Sequence, residues 1–164
     1  MKNLNELFSH SLRDMYWVEN KLHTELPKMA EKAQNPDLKQ AFLDHQKDTE
    51  NQMKRLEKVF EMIGMEARSE KCDAMDGILD EGRELIEKSE NDDLLDAVLI
   101  AAGNKVEHYE IATYGTLRNY AHKLGLDEAA KLFQESLDEE SSADAKISLL
   151  ADININDVAK EGSN

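Results

Sequence analysis

The sequence predicts an all-α protein in which four long helices form a bundle and a shorter fifth helix connects its two halves. Helix-breaking residues are few, because the 164 residues include only two prolines and seven glycines, and aromatic residues, which favour strands, make up just 5%. Apolar residues recur at spacings of three and four, which places them on one face of a helix. We therefore expect a single helical domain over residues 1–164.

The first half of the chain predicts a hairpin of two long helices. The first helix spans about residues 3–32, and Pro27 is expected to bend it or to divide off its last turns. Asn35 followed by Pro36 is a helix-start signal. The second helix therefore spans about residues 36–64.

The second half predicts a crossover and then another hairpin. A less apolar helix covers about residues 69–90, and two long helices span about 91–123 and 127–158, with Gly125 ending the first of them. Two hairpins of long helices joined by a long crossover are typical of ferritin-like bundles, which is the fold we predict. A bundle of five equal helices is the alternative.

The formal net charge of −15 excludes two classes of partner. Nucleic-acid backbones and anionic membrane surfaces would repel most of the molecule, and no apolar run reaches the length of a signal peptide or a membrane-spanning helix. The single cysteine, Cys72, rules out an internal disulfide and fits a reducing compartment. We expect a cytoplasmic protein without nucleic-acid or membrane partners.

Each long helix carries acidic or histidine residues where its apolar face should continue. A buried charge is costly unless it is paired or bound to a metal, so chemistry is expected at these positions. If residues equidistant from a hairpin turn face each other, Glu19 lies opposite about residue 50, and Glu110 lies opposite Glu140. The full set of candidate metal ligands is Glu19, His45, Asp48, Glu107, Glu110, Glu140 and Asp144.

Iron and manganese suit this set because they prefer oxygen and nitrogen ligands. The same residues also have ordinary explanations. A lone core histidine is more often a hydrogen-bonded structural residue than a ligand, and Glu19 fits an ordinary glutamate at the boundary between the buried and the exposed face of its helix. Glu107 and Glu110 share one helix face, but glutamates three residues apart also occur on solvated helices.

The segment from Val106 to Leu117, VEHYEIATYGTL, resembles the YciF-type family of bacterial ferritin-like proteins. The other positions that fit the resemblance are Tyr16, Glu19, His45, Asp48, Thr49, Gln52 and the run from Leu137 to Asp144. The resemblance covers essentially the whole chain. It implies a stress-response protein that folds as a ferritin-like bundle, forms dimers and binds a pair of metal ions, without an established activity.

One departure from the wider di-iron pattern leaves two hypotheses open. That pattern has a Glu-x-x-His motif in two helices, but here Thr49 and Gln52 stand at this level in the second long helix and Asp144 replaces the histidine in the fourth. The leading hypothesis is a dinuclear iron or manganese centre formed by the seven candidates, with redox or peroxide chemistry by analogy. Tyr16, Tyr109 or Tyr114 would support the ligands through hydrogen bonds.

The competing hypothesis is a metal-free dimeric scaffold or interaction protein, in which the central polar residues form a hydrogen-bond network. The missing Glu-x-x-His motifs favour it. An iron-storage cage is a third idea, but nothing in the sequence indicates assembly into a shell.

Overall fold

The computed structural model describes residues 1–161, without the side chains of Asp93, Asn154 and Glu161. Every regular element in this part of the chain is helical, which confirms the predicted all-α class. The helices are α1 (Leu4–Lys32), α2 (Pro36–Met62), α3 (Asp73–Lys88), α4 (Asp92–Lys123), α5 (Asp127–Leu150) and α6 (Asn156–Glu161), with a π-helical turn (Ala151–Ile155) between the last two.

The four long helices pair as two antiparallel hairpins, α1 with α2 and α4 with α5. The hairpins pack on each other through α1 against α4 and α2 against α5. Asp96, near the start of α4, accepts backbone hydrogen bonds from Gln34 and Asn35 in the α1–α2 turn, both at 2.8 Å. The crossover therefore returns the chain to the end of the bundle where that turn lies, so α2 and α4 run parallel. This is a ferritin-like bundle, as predicted.

The crossover helix α3 lies outside the bundle and packs mainly on α4. It is shorter than the predicted helix over 69–90 because Cys72 caps it, with the thiol Sγ accepting the Met75 N–H at 3.5 Å. Just before this cap, the Glu70 N–H donates to the carbonyl of Arg13 at 3.2 Å, which holds the loop against α1. The last long helix also differs from the prediction, since regular α-helix ends at Leu150 and the π-helical turn follows.

The sequence signals at the helix ends have the expected roles. The Asn35 side chain accepts two backbone N–H groups in the first turn of α2, at 2.9 and 3.1 Å, and Pro36 is the first helical residue. The Asn91 side chain caps α4 by accepting the Leu94 N–H. Gly64 and Gly125 follow α2 and α4 with positive φ values of 68° and 73°, the left-handed conformation that commonly ends a helix.

Pro27 does not divide α1, which is continuous from Leu4 to Lys32. Proline lacks the N–H that would bond to the carbonyl four residues earlier, here that of His23. The side-chain amide of Gln46 in α2 donates to this free carbonyl at 3.3 Å. A neighbouring helix thus supplies the bond that the proline removes.

The interior of the bundle is apolar toward both ends and polar in the middle. The apolar layers include Phe8, Phe60 and Phe133 at one end and Leu26, Leu38 and Leu99 at the other, and each of these side chains is at least 98% buried. Between the layers lie buried glutamates, a histidine, a threonine and a glutamine. None of the helices within residues 1–161 has the length and apolar character needed to cross a membrane.

Candidate metal centre

Five ionisable side chains converge in the polar middle of the bundle, with at least one from each long helix. They are Glu19 of α1, His45 of α2, Glu107 and Glu110 of α4, and Glu140 of α5, and each is at most 2% exposed. The two α4 glutamates reach the same point because residues three apart share a helix face. Glu110 meets Glu140 because α4 and α5 fold back on each other, as the equal distance of these residues from the turn predicts.

The imidazole of His45 lies at the centre of this group. Its Nδ1 is 2.8 Å from Glu107 Oε1, and its Nε2 is 3.2 Å from Glu140 Oε2 and 3.7 Å from Glu110 Oε2. One ligand atom from each of these four residues lies within 4.8 Å of all the others. This spacing allows the four side chains to bind one common cation.

Many polar atoms of the centre have no hydrogen-bond partner among the described residues. They include both ring nitrogens of His45, whose contacts are short but not aligned as hydrogen bonds, both carboxylate oxygens of Glu110, and one oxygen each of Glu19, Glu107 and Glu140. An unsatisfied buried polar atom costs about 1–3 kcal/mol, so a folded protein rarely keeps several together. A bound cation would provide a partner for them.

Burial raises the pKa of three of the carboxyl groups. Burial, followed by the charge of Glu140, raises the pKa values of Glu19 and Glu110 well above their ordinary range. Burial also raises the pKa of Glu107 to about 8, against the opposing effect of the His45 charge. Without a cation, these three groups therefore hold protons at neutral pH.

His45 and Glu140 form a charged pair in the metal-free centre. Burial lowers the pKa of His45, but the charge of Glu140, together with the close contact with Glu107, outweighs burial and raises this pKa well above its ordinary value. Burial raises the pKa of Glu140, but the charge of His45 and hydrogen bonds from neighbouring side chains lower it by more than burial raises it. The net shift is therefore downward. One imidazolium thus faces one carboxylate while the other carboxyls are neutral.

The neighbours of the centre hold two of the candidate ligands in place. The hydroxyl of Tyr114, which is fully buried, donates to Glu19 Oε1. The amide of Gln52 donates to Glu140 Oε1 and, at 3.1 Å, to Glu139 Oε2. Each of these donors fixes a carboxylate from outside the group, which is how ligands of a metal site are usually oriented.

Comparison with known proteins places this architecture in a family. The DUF892 family, described as a domain of unknown function, matches residues 3–160. The chain belongs to this family. The protein YciF of Escherichia coli strain K12 is 43% identical to it over 100% of this chain and 98% of the relative, so the resemblance noted in the sequence is confirmed.

Solved structures of similar proteins show the same fold. The crystal structure of the E. coli stress protein YciF matches with a TM-score of 0.90 and 43% identity, covering 95% of this chain and 99% of that one. YcfI of Rhodopseudomonas palustris, described as a candidate structural protein, matches with a TM-score of 0.88 and 37% identity over 90% of this chain and 94% of that one. A Xanthomonas campestris protein with 20% identity and a TM-score of 0.75 shows the fold alone.

In this DUF892 member, Asp48 and Asp144 do not join the central group. Asp144 is partly buried between α4 and α5, where its carboxylate lies 3.3 Å from Nε2 of the exposed His108. Asp48 lines a cavity of about 290 Å³ between α2 and α5 that also reaches His45. Four of the seven predicted ligands therefore have atoms within 4.8 Å of one another, and Glu19 is buried beside them, where its pKa is affected by Glu140, His45 and Glu107. Asp48 and Asp144 lie at the periphery of this group.

The cavity beside His45 has an acidic wall. Asp44, Asp48 and Glu139 line it, and Lys146 of α5 lies across it, donating to Asp44 at 2.8 Å. Burial, followed by the charge of Glu139, raises the pKa of Asp48. The cavity is thus a short, negatively charged passage from the surface to the imidazole.

Arg55 is a supporting residue that the sequence did not single out. Its guanidinium binds Glu139 in a bidentate manner, with two N–O distances of 2.6 Å, and lies 3.2 Å from Glu135. Arg55 is three residues after Gln52 on α2, and Glu135 and Glu139 are four apart on α5. These spacings place complementary charges on facing helices, but only the pairing of α2 with α5 identifies them as partners.

Proposed function

We propose that this DUF892 protein binds two ions of iron or manganese through Glu19, His45, Glu107, Glu110 and Glu140. The observation that carries the proposal is the group of buried carboxylate and imidazole atoms without hydrogen-bond partners in the middle of the bundle. One nitrogen and several carboxylate oxygens, without a thiolate, are the ligands these metals prefer. Ferritin-like bundles commonly hold their metals in this position.

Charge supports two ions rather than one. The four glutamates carry four negative charges when they are all ionised, and burying uncompensated charge is costly. Two divalent ions would neutralise them and leave His45 as a neutral nitrogen ligand. A single divalent ion would leave a net charge of about −2 or require bound protons.

The chain's own residues would orient the ligands and keep water away. Tyr114 would hold Glu19 and Gln52 would hold Glu140, each by the hydrogen bond described above. The apolar layers on either side would exclude solvent from the polar middle. A pair of iron or manganese ions in such a site would supply redox chemistry toward dioxygen or peroxide.

Asp48 has a different role in this proposal. It lies in the acidic passage that reaches His45, and would bind an incoming cation before the buried residues do. Asp44 and Glu139 line the same passage, but Lys146 and Arg55 already pair with them, so Asp48 would supply most of the attraction for an incoming cation. Asp144, paired with His108, is not a ligand in this proposal.

The cellular role that we propose is a cytoplasmic stress response. It follows the relative YciF, which is described as a stress protein and is 43% identical over the whole chain. We also infer that the protein is a homodimer, as the family resemblance implies. Light scattering of the purified protein tests this inference, and a monomer mass at all concentrations would contradict it.

Elemental analysis tests the metal centre. The protein would be purified without affinity tags or chelators, beside a variant combining Glu110→Ala and Glu140→Ala, and thermal melts would be recorded for both. About two iron or manganese ions per chain, lost in the variant, would support the proposal. No metal in the parent after reconstitution, with a variant at least as stable, would refute it.

The second candidate function is a metal-free scaffold. The contacts of His45 with Glu107 and Glu140, at 2.8 and 3.2 Å, favour it because they pair the imidazolium without a cation. In that case the polar residues would fix the register of the helices. A metal-free parent that melts well above the Glu110→Ala, Glu140→Ala variant would favour this function.

A further inference from the structure

A groove on the opposite side of the molecule from the acidic passage runs between α1 and α3. Its volume is about 420 Å³, within the range of roughly 300–1,000 Å³ that small-molecule sites occupy. The groove exists because α3 packs on α4 rather than on α1. Gly82 allows this packing, since a Cβ at Gly82 would lie only 3.3 Å from the Cβ of Ala102.

The floor of the groove is apolar. It is formed by Met29 of α1, Ile78, Leu79 and Ile86 of α3, and Ala102 and Val106 of α4. Leu79 and Val106 are more than 90% buried, so their side chains belong to the core as well as to the floor. Such a floor would bury a hydrocarbon chain favourably, by about 0.8 kcal/mol for each methylene group.

The rim of the groove is cationic, which is unusual on a chain with a net charge of −15. Four basic residues and two acidic ones line it, leaving a local charge of +2: Lys21, Lys28, Lys32, Arg83, Glu25 and Glu87. The rim therefore attracts anions while most of the molecular surface repels them.

The cations of the rim are only partly neutralised within the protein. One carboxylate, that of Glu25, is shared by Lys21 at 3.3 Å, Lys28 at 3.1 Å and Arg83 at 3.7 Å, and the guanidinium of Arg83 also binds Asp80, which lies outside the groove lining. Burial raises the pKa of Glu25, but the hydrogen bonds from Lys28 and Lys21 outweigh burial and lower it overall. Lys32 has no carboxylate within 4.0 Å in the described part of the chain. A second carboxylate could therefore bind at this rim.

We propose that the groove binds a free fatty acid, with the hydrocarbon chain on the apolar floor and the carboxylate at the cationic rim. The two halves of the groove match the two halves of such an amphiphile in polarity and in charge. The inference is independent of the metal centre, since it uses none of the proposed ligands.

Calorimetric titration of the full chain with laurate tests the proposal. Laurate is expected to bind with one molecule per chain, and dodecanol, which lacks the carboxylate, more weakly. A variant combining Lys28→Glu and Lys32→Glu is expected to lose affinity by about tenfold or more. The matched control combines Lys39→Glu and Lys58→Glu, two exposed lysines of α2 outside the groove, and should bind laurate as the parent does.

A third variant tests the apolar floor. Further measurements distinguish a fatty acid from a second copy of the chain or a membrane surface. Ile78→Trp would fill the floor without changing charge and should also weaken binding. Absence of laurate binding to the parent, or equal binding by the parent and the charge-reversed variant, would overturn the proposal. It would also be overturned if the charge-reversed variant became monomeric while the parent was a dimer, since the groove would then be covered by a second copy. Binding to anionic lipid vesicles but not to free laurate would overturn it in favour of a membrane surface.

Discussion

Glu110 is the carboxylate of the centre with the least support from the protein. It is fully buried, and neither of its oxygens has a hydrogen-bond partner among the described residues. Tyr114 supports Glu19 and Gln52 supports Glu140, but Glu110 has no such donor in the described part of the chain. In the absence of metal, a buried amide at this position would cost less free energy than the buried carboxyl group of Glu110.

The Glu110→Gln variant should separate metal binding from stability. In the metal-free protein the burial-raised pKa keeps Glu110 protonated at pH 7, and protonating a carboxyl of ordinary pKa 4.5 at that pH costs about 3 kcal/mol. Glutamine avoids this cost, so we expect the metal-free variant to gain up to about 3 kcal/mol in free energy of unfolding and to lose bound metal. Urea denaturation and elemental analysis measure the two effects.

Glu128→Gln is the matched control for this variant, since Glu128 is exposed on α5. It should change stability by no more than about 0.5 kcal/mol and leave metal content unchanged. A Glu110→Gln variant that kept full metal content would contradict the ligand role. One that was strongly destabilised would contradict the protonated state.

Asp48→Asn should slow metal loading without changing the final metal content. Asp48 lines the acidic passage but is outside the central group, so removal of its charge weakens attraction during approach and leaves the ligands intact. We expect the rate of ferrous ion uptake, followed by stopped-flow absorbance, to fall by about threefold to tenfold at low ionic strength.

The control for the passage is Asp138→Asn, which removes an equal charge from an exposed position on α5. Its uptake rate should match that of the parent. If Asp48→Asn instead lowered the number of ions bound at equilibrium, Asp48 would be a ligand, as the sequence first suggested.

The pattern of the sequence located Glu19, His45, Glu110 and Glu140 because each interrupts an apolar face at the middle of its helix. It could not separate Asp48 and Asp144 from them. Asp48 is three residues after His45 and Asp144 is four after Glu140, which rotates each side chain by only about 40–60° around the helix. That small rotation points each of them at a different neighbouring helix, and only the packing of the bundle decides which neighbour it meets.

Two glycines of α4 offer a test of how closely the helices pack. A Cβ at Gly103 would lie 3.3 Å from Ile147 Cδ1 and 3.4 Å from Phe42 Cε1, whereas a Cβ at Gly115 would have no neighbour within 4 Å. Alanine is favoured over glycine inside a helix by about 1 kcal/mol. We therefore expect Gly115→Ala to raise the free energy of unfolding by about 0.5–1 kcal/mol.

Gly103→Ala makes the same helix-propensity gain, but its Cβ would press on Ile147 and Phe42, which must shift by a few tenths of an ångström. Overpacking of a core typically costs about 1–3 kcal/mol, so this variant should be at least about 1 kcal/mol less stable than Gly115→Ala. Chemical denaturation of both variants gives the difference. Equal stability would mean that α4 has more room against α2 and α5 than the structure indicates.

The helix ends could be predicted from short-range signals, as Asn35 with Pro36 and Gly125 illustrate. The continuity of α1 through Pro27 could not, because it depends on Gln46 of another helix bonding to the carbonyl of His23. The change to a π-helical turn at Ala151 was missed as well. The buried residues at this point, Ile147, Ala151 and Ile155, are four apart, a spacing that a regular α-helix also shows, so the periodic pattern does not reveal the π-helical turn.

The arrangement of the whole bundle makes its stability depend on pH in opposite ways with and without metal. Burial raises the pKa values of Glu19 and Glu110 well above 4.5 and that of Glu107 to about 8, and neighbouring glutamates raise that of His45 above 6.5. The folded metal-free protein therefore binds more protons than the unfolded chain between about pH 4.5 and pH 8. Its stability should fall as the pH rises through this range.

Calorimetric melts at about pH 5.5 and about pH 8 test this expectation. The metal-free protein should melt several degrees lower at the higher pH. At that pH the buried carboxyl groups must either keep their protons or ionise in the core, and both cost free energy relative to the unfolded chain. The metal-loaded protein should show the reverse, since binding requires deprotonated ligands. Glu140, whose pKa is lowered, has the opposite effect only in the acid range below its ordinary value of 4.5. A metal-free protein that became more stable toward pH 8 would contradict the assignment.

The division of the candidate ligands between the hairpins has a consequence for damaged copies of the protein. Glu19 and His45 belong to the first hairpin, and Glu107, Glu110 and Glu140 belong to the second. A protease that cut the crossover and let the halves separate would leave two fragments, neither of which has the full set. If the proposed centre holds metal, degradation would thus dismantle it at the first step, because neither fragment would keep the full set of ligands.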